Sequence, residues 1–405
     1  MRTATLQIQQ SKLFDKYNKD VPHIMKYMGS KRSILDFVIS GIDEVYSGGI
    51  ICDLFAGSSV LSGSLGSIAQ IHSNDIQEYS GHIAKTYLSN YDWEAFPDLD
   101  NIISQARRYF NKVKKKYPEL IYKYSEELTL IQFNKLEKKQ QRLRSKDFDD
   151  IDYYLFIKYY SGTYWSFEQC IWIDAIKKVA DKYKTSPLYY PIISSLMFAM
   201  SYCSQSTGHV AQYRDANDEE SMMDILIYRQ KEILPYFKRK FLELKKVLKK
   251  NTLKHTSTSL SYEKCLDALP ENIVIYADPP YCFVHYSRFY HAFETLIKYD
   301  YPEIKFKGRY RTDRHQSPFC QRLEVRKAFE TMFQKINLKK SQLVLSYSNT
   351  GMIRLDELVE LANSNFSNNY KIEVKSMPYK HSTMGRTGEK TKDVEEYLII
   401  AKIIV

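Results

Sequence analysis

A chain of 405 residues can bury a large core, and its length favours two or three domains over one. With 44% hydrophobic and 26% charged residues it has the composition of an ordinary globular protein, which excludes a disordered chain. The formal charge of +11 points to a polyanionic partner, nucleic acid ahead of a membrane surface, and 34 tyrosines among the lysines and arginines suit base stacking and phosphate contact.

No apolar run approaches the roughly 18 to 20 residues that span a bilayer. The first twenty residues, MRTATLQIQQSKLFDKYNKD, lack an apolar signal core, so a cytoplasmic location is expected. The cysteines (Cys52, Cys170, Cys203, Cys265, Cys282, Cys320) are scattered without a CxxC pair. Neither a disulfide framework nor a metal site is expected from that spacing.

In chain order, residues 1–21 read as a polar lead-in. "KYMGSKRSIL" (26–35) places a Gly-Ser turn between Tyr27 and the pair Lys31-Arg32. It suits a helix cap, and equally an aromatic face and a cation offered to a ligand carboxylate. "GGIICDLFAGSSVLSGSL" (48–65) predicts a buried strand, Ile50 to Phe55, then a small-residue turn and a helix. Small residues there let backbone approach a ligand closely, and the absence of G-x-G-x-x-G or a Walker lysine argues against NAD and ATP. "IAQIHSNDIQ" (68–77) predicts a second strand ending at Asp75, about 20 residues after the first turn, where doubly wound folds place a ribose-binding acid.

From 91 to 255 the pattern is helical and basic. Residues 106–146 carry apolar positions at helical spacing, and 228–254 holds ten Lys or Arg against two Glu. "SYCSQSTGHVAQYRD" (201–215) is polar and irregular. Strand patterns return after 256. "ENIVIYADPPY" is a strand ending in a rigid corner, "SQLVLSYSNTGMI" a second buried strand with a helix from Arg354, and the last two apolar or alternating runs suit an antiparallel edge pair.

The corner is the most informative stretch. Turn formation accounts for the prolines of "IYADPPYC" (275–282) but not for the acid and the ring beside them. Asp278, Pro279, Pro280 and Tyr281 together offer two fixed acceptors, the Asp278 carboxylate and the Pro279 carbonyl, next to an aromatic face. That set suits a planar amine such as the exocyclic amino group of a nucleobase.

Taken together and in this order, "KYMGSKR", "DLFAGSS", "SND" and "YADPPY" resemble the Dam-like, alpha-group DNA adenine-N6 methyltransferases that use S-adenosylmethionine. The resemblance covers roughly residues 22–90 and 270–405 and finds no motif in the helical middle. It implies an α/β, Rossmann-like methyltransferase fold with a mainly parallel sheet and an inserted helical domain. The catalytic domain would be 22–90 and 256–405, and 91–255 a basic DNA target-recognition insertion. It also implies cofactor contacts at Tyr27 and Lys31, along Asp53, Phe55, Ala56 and Gly57, and at Asp75 for the ribose, with Asp278 at the reacting end. Ser59 replaces the second glycine usual in that family, and a serine suits the turn if its backbone stays right-handed.

The expected reaction is methyl transfer to N6 of an adenine flipped out of double-stranded DNA, in a restriction-modification or phage-defence setting. A cognate endonuclease or defence component would be a further partner. Methylation of cytosine N4 and a catalytically silent DNA-binding relative are the alternatives. Ser more often leads the corner in the cytosine enzymes, and Asn in glutamine-methylating ones, so Asp278 favours adenine. The Arg- and Tyr-rich stretch 282–320 and the segment 201–215 supply the expected DNA contacts: Arg214, Arg288, Arg309, Arg311, Arg314 and His315.

Overall fold

The computed structural model describes residues 13–206, 210–280, 283, 285–382 and 391–404. Nine strands are present among them. The first four are β1 (Ile50–Asp53), β2 (Gln70–Asn74), β3 (Thr256–Thr258) and β4 (Val274–Ala277). The others are β5 (Ile304–Lys305), β6 (Tyr310–Arg311), β7 (Gln342–Ser348), β8 (Tyr370–Ser382) and β9 (Thr391–Ile403).

Seven of them form one sheet in the order β3-β2-β1-β4-β7-β9-β8, and β5 pairs with β6 alone. The first five positions are parallel, while β9 runs antiparallel to both β7 and β8. This is the mixed α/β architecture of a Rossmann-like methyltransferase, with the antiparallel pair at the edge as the alternating sequence predicts. Strand β4 (VIYA) is buried throughout and β7 nearly so, as parallel strands covered on both faces must be.

The chain order of this sheet positions the site. From β1 the chain steps outward through β2 to β3, then returns across β1 to β4 and continues to β7. The reversal lies between β1 and β4, so their carboxyl ends open a crevice where doubly wound sheets bind ligands. β1 ends on Asp53 and β4 runs directly into Asp278.

The long intervening segment is helical. Its centre is the helix Phe167–Ala180, started by a Ser166–Gln169 capping box and buried along most of its length. Helices Leu99–Lys116, Leu155–Tyr160 and Tyr189–Cys203 pack around it, with Phe110 stacked on Trp172 at 4.2 Å. The 106–146 run is divided into Leu99–Lys116 and Leu130–Gln141, the second begun by its own Thr129–Gln132 box. The same apolar core takes in Tyr79 and Ile83 from the helix after β2, and Tyr290, Phe293 and Leu296 from the stretch beyond the corner. That stretch forms two helices, Tyr286–Phe289 and His291–Lys298, followed by the β5–β6 pair, so more of it is regular structure than its loop-like composition suggests.

Candidate active site

At the carboxyl ends of β1, β2 and β4 a single cavity is lined by Tyr27, Lys31, Asp53, Phe55, Ala56, Gly57, Asp75, Asp278, Pro279 and Pro280. The structure thus brings together every cofactor-site residue named from the sequence. Tyr281 lies outside the described residues.

Short backbone bonds build the turn after β1. Leu54 N–H donates to the Tyr276 carbonyl and Ala56 N–H to the Asn74 carbonyl, tying the turn to both neighbouring strands. Asp75 accepts from Gly57 N–H and Gln77 N–H, each at 2.9 Å, so it organises the turn as well as facing the cavity. Gly57 has φ +50°, and a Cβ there would lie 2.8 Å from the Tyr27 hydroxyl, so close approach and backbone conformation both require glycine. Tyr27 is itself held by stacking on Tyr290 at 4.8 Å and on Tyr286 at 5.6 Å, while the Tyr290 hydroxyl accepts from Met28 N–H.

The expectation for Ser59 needs correction. Its backbone is left-handed, φ 54° and ψ 31°. A side chain in that region costs about 1 to 2 kcal/mol. Ser59 is fully buried and its hydroxyl donates to the Ser80 carbonyl at 3.2 Å, which offsets part of that cost.

Charge is concentrated on the cavity floor. Lys31 Nζ lies 3.2 Å from Asp278 Oδ1 and 3.5 Å from Glu396 Oε2, and all three side chains are largely buried. Two carboxylates therefore share one ammonium. Burial pushes the Asp278 carboxyl up to about 6, with Lys31 pulling it down and Glu396 pushing it further up. Burial also holds Asp53 well above the usual carboxylate range, reinforced by the charges of Asp278 and Asp75. Asp75 is raised by burial as well, against the two N–H bonds it accepts. A cavity with more acids than bases suits a ligand carrying positive charge.

Sequence reasoning missed several members of this site. Glu396 sits in "VEEYLIIA" on β9, and a charged residue facing inward from an apolar strand was the available signal. Glu396 reaches the site through Lys31, whereas Tyr262, His285, Tyr286 and Phe319 line the cavity itself and come from segments with no recognisable motif.

The six expected DNA contacts separate. Arg309 and Arg311 are corrected: both are buried and serve the fold. Arg309 donates to the Tyr159 carbonyl at 2.6 Å, and Arg311 forms paired bonds to Asp300 and Asp313 at 2.6 to 3.0 Å. A buried guanidinium keeps such partners because losing them costs several kcal/mol, so neither group is free to reach a phosphate. Arg214 pairs with Asp224 at 2.5 Å on the helical body. Arg288 and Arg314 lean on the Tyr310 ring, at 5.6 and 6.0 Å, and His315 lines the cavity beside them.

Comparison with known proteins agrees with this geometry. The model of the D12 class N6 adenine-specific DNA methyltransferase family matches residues 27–186 and 227–361, more than half of the chain. Modification methylase LlaI of Lactococcus lactis subsp. lactis is 25% identical over 391 residues, covering 92% of this chain and 54% of that protein. Type II methyltransferase M.FokI of Planomicrobium okeanokoites is 24% identical, and modification methylase StsI of Streptococcus sanguinis 23%, each again covering 92% of this chain. The chain spans about half the length of these curated relatives. Among the described residues no helix is long and apolar enough to cross a membrane. With its cavity at the β1–β4 reversal and its Asp-Pro-Pro corner, this chain belongs to the D12 class N6 adenine-specific DNA methyltransferase family.

Proposed function

We propose that this chain is a site-specific, adenine-specific DNA methyltransferase that moves a methyl group from S-adenosylmethionine to N6 of an adenine flipped out of duplex DNA. The observation that carries the reading is one cavity with Asp75 and the Gly57 turn at one side and the Asp278–Pro280 corner at the other. Tyr27, Lys31, Asp53, Phe55, Ala56, Gly57 and Asp75 would hold the cofactor, which supplies an electrophilic methyl group when bound.

The chain's own residues prepare the acceptor. The adenine amino group is a poor nucleophile because its lone pair is delocalised into the ring. Hydrogen bonds accepted from its two N–H groups by the Asp278 carboxylate and the Pro279 carbonyl favour a pyramidal nitrogen with an outward lone pair. Lys31 keeps Asp278 ionised at neutral pH despite its burial. Pro279 and Pro280 restrict the backbone so that the acceptors are in place before the base arrives. Tyr281 is assigned the stacking face for the flipped base. No covalent intermediate is needed, so no cysteine need act as a nucleophile.

Residues 91–255 would form the target-recognition insertion, with His315 on the cavity wall, Arg288 and Arg314 beside the Tyr310 ring and Arg214 on the helical body as DNA contacts. Two relatives are named modification methylases and one a type II methyltransferase. By analogy the chain would protect DNA beside a cognate restriction endonuclease. The test is transfer of tritium from labelled cofactor to DNA, followed by nucleoside analysis. Label in N6-methyladenine is expected, and label only in N4-methylcytosine, or in no nucleoside, would overturn the reading. DNA affinity should fall with salt on a log–log slope of at least about 4 in magnitude.

A further inference from the structure

Outside the cavity, the described residues contain one cluster of soft metal-ligating atoms. Cys52 lies on β1 directly opposite His72 on β2, which in turn lies opposite Thr256 on β3. The three are therefore neighbours across one row of the sheet. The helix Tyr262–Ala268, started by the Ser261 cap, lays Cys265 over that row. One atom each from Cys52, His72 and Cys265 lies within 4.8 Å of the other two, and Cys265 Sγ is 3.6 Å from His72 Nε2.

The 3.6 Å between Cys265 Sγ and His72 Nε2 matches a tetrahedral metal centre, and no other separation in the trio exceeds 4.8 Å. Bonds of about 2.3 Å to sulfur and about 2.1 Å to nitrogen put neighbouring ligand atoms about 3.6 to 3.8 Å apart, so modest rotations of the side chains close the site. The imidazole is oriented as a ligand needs it: Nδ1 is 2.7 Å from the Thr256 hydroxyl, leaving Nε2 turned toward Cys265. The Thr258 hydroxyl, 3.2 Å from His72 Nε2, stands beside the same point and is fixed by its bond to Asn74 Oδ1 at 2.8 Å. Both cysteines are buried while His72 is half-buried, so the imidazole is the most exposed of the three ligands.

We propose that Cys52, His72 and Cys265 form a binding site for a thiophilic divalent cation of the zinc class. Binding releases the thiol protons, and the cation takes two sulfurs and one nitrogen, with water or the Thr258 hydroxyl as the fourth ligand. The ion would clamp β1, β2 and the helix Tyr262–Ala268. Asp53 and Tyr262, chain neighbours of these elements' ligands, line the cavity, so the clamp stiffens its floor. The role is structural and independent of the methyl-transfer reading.

Cobalt(II) reports thiolate ligation directly. The full chain, reduced with a phosphine under argon, should take up one equivalent of cobalt with a thiolate-to-cobalt absorption in the near ultraviolet, displaced by zinc. His72→Ala should weaken binding at least about 10-fold. Cys265→Ser should remove the band at one equivalent, while Cys170→Ser, a buried thiol of the helical body, should retain it. Should the Cys265 variant fail to fold, alkylation of the wild-type chain decides: zinc should protect Cys52 and Cys265 and not Cys170 or Cys203. Absence of the band, a band unchanged in Cys265→Ser, or protection spread equally over all four thiols would overturn the proposal. So would a Cys52–Cys265 disulfide that, once reduced, binds no cobalt.

Discussion

Two buried charge clusters in this molecule are built on opposite principles. In the helical body, Arg229 donates to both oxygens of Glu137 and to the Thr163 and Tyr164 carbonyls, so one cation meets one anion with the remaining donors absorbed by backbone. In the α/β half, Lys31 serves Asp278 and Glu396 together, and of the two carboxylates Asp278 faces an open cavity. The first arrangement is closed, and its value lies in holding helices in register. The second leaves acceptor strength on Asp278 for a ligand and retains an electrostatic cost to do so. Burial alone does not separate a structural ion pair from a functional one. The charge balance and the opening to solvent do.

The largest effect should come from breaking the closed pair. Arg229→Met leaves the Glu137 carboxylate buried without its cation and should destabilise the protein by about 3 to 5 kcal/mol in denaturant unfolding. The double variant Arg229→Met, Glu137→Met should recover much of that loss, since two apolar groups replace two charges. If the single variant lost under 1 kcal/mol, the pair would not be the closed unit described.

Next is the open cluster. Asp278→Ala removes one of the two acceptors proposed for the amino group, and methyl transfer should fall at least about 100-fold, the range for deleting one preorganised polar partner. DNA affinity should change far less, because phosphate contacts dominate it. Near-normal transfer would show that the corner is not the clamp.

Asp278→Asn sharpens the contrast through pH. The Asp278 pKa is raised by folding, from about 3.8 to about 6, so its favourable contribution exists below the lower value and is lost as pH rises through the higher one. At pH 8 the Asn variant should be more stable than wild type, by on the order of 1 to 3 kcal/mol, and the gain should vanish below about pH 4. Transfer by the wild type should decline below about pH 6 as the acceptor is protonated. A gain that persisted unchanged at pH 4 would rule out the carboxylate charge as its source.

The smallest effect concerns Ser59. Ser59→Gly relieves left-handed strain but loses the bond to the Ser80 carbonyl. Those terms nearly cancel, so unfolding should shift by less than about 1 kcal/mol in either direction. A loss above 2 kcal/mol would mean that the hydroxyl, rather than the turn, holds this position.

Much of this was legible before any coordinates, where physics acts locally. Continuous apolar runs announced β1, β4 and β7, and the prolines announced where β4 had to stop. The acid of the corner stood out because a turn has no use for it. The antiparallel edge pair followed from alternation in the last two strands. By contrast β3 is three residues long, too short for any periodic signal. Arg309 and Arg311 looked like surface cations because composition cannot distinguish a solvated guanidinium from one already held by carbonyls and aspartates.

The residues alone determined that an acid and two prolines end a buried strand, that a small-residue turn follows another, and that a basic helical segment separates them. Strand order decided the rest. Reversal between β1 and β4 set Asp53 beside Asp278, although they are far apart in the chain, and the antiparallel return of β9 carried Glu396 to Lys31. The same register laid His72 against Cys52 and brought Cys265 over both. Sequence spacing cannot encode such meetings, because hydrogen-bond register between strands, not distance along the chain, decides which side chains share a face.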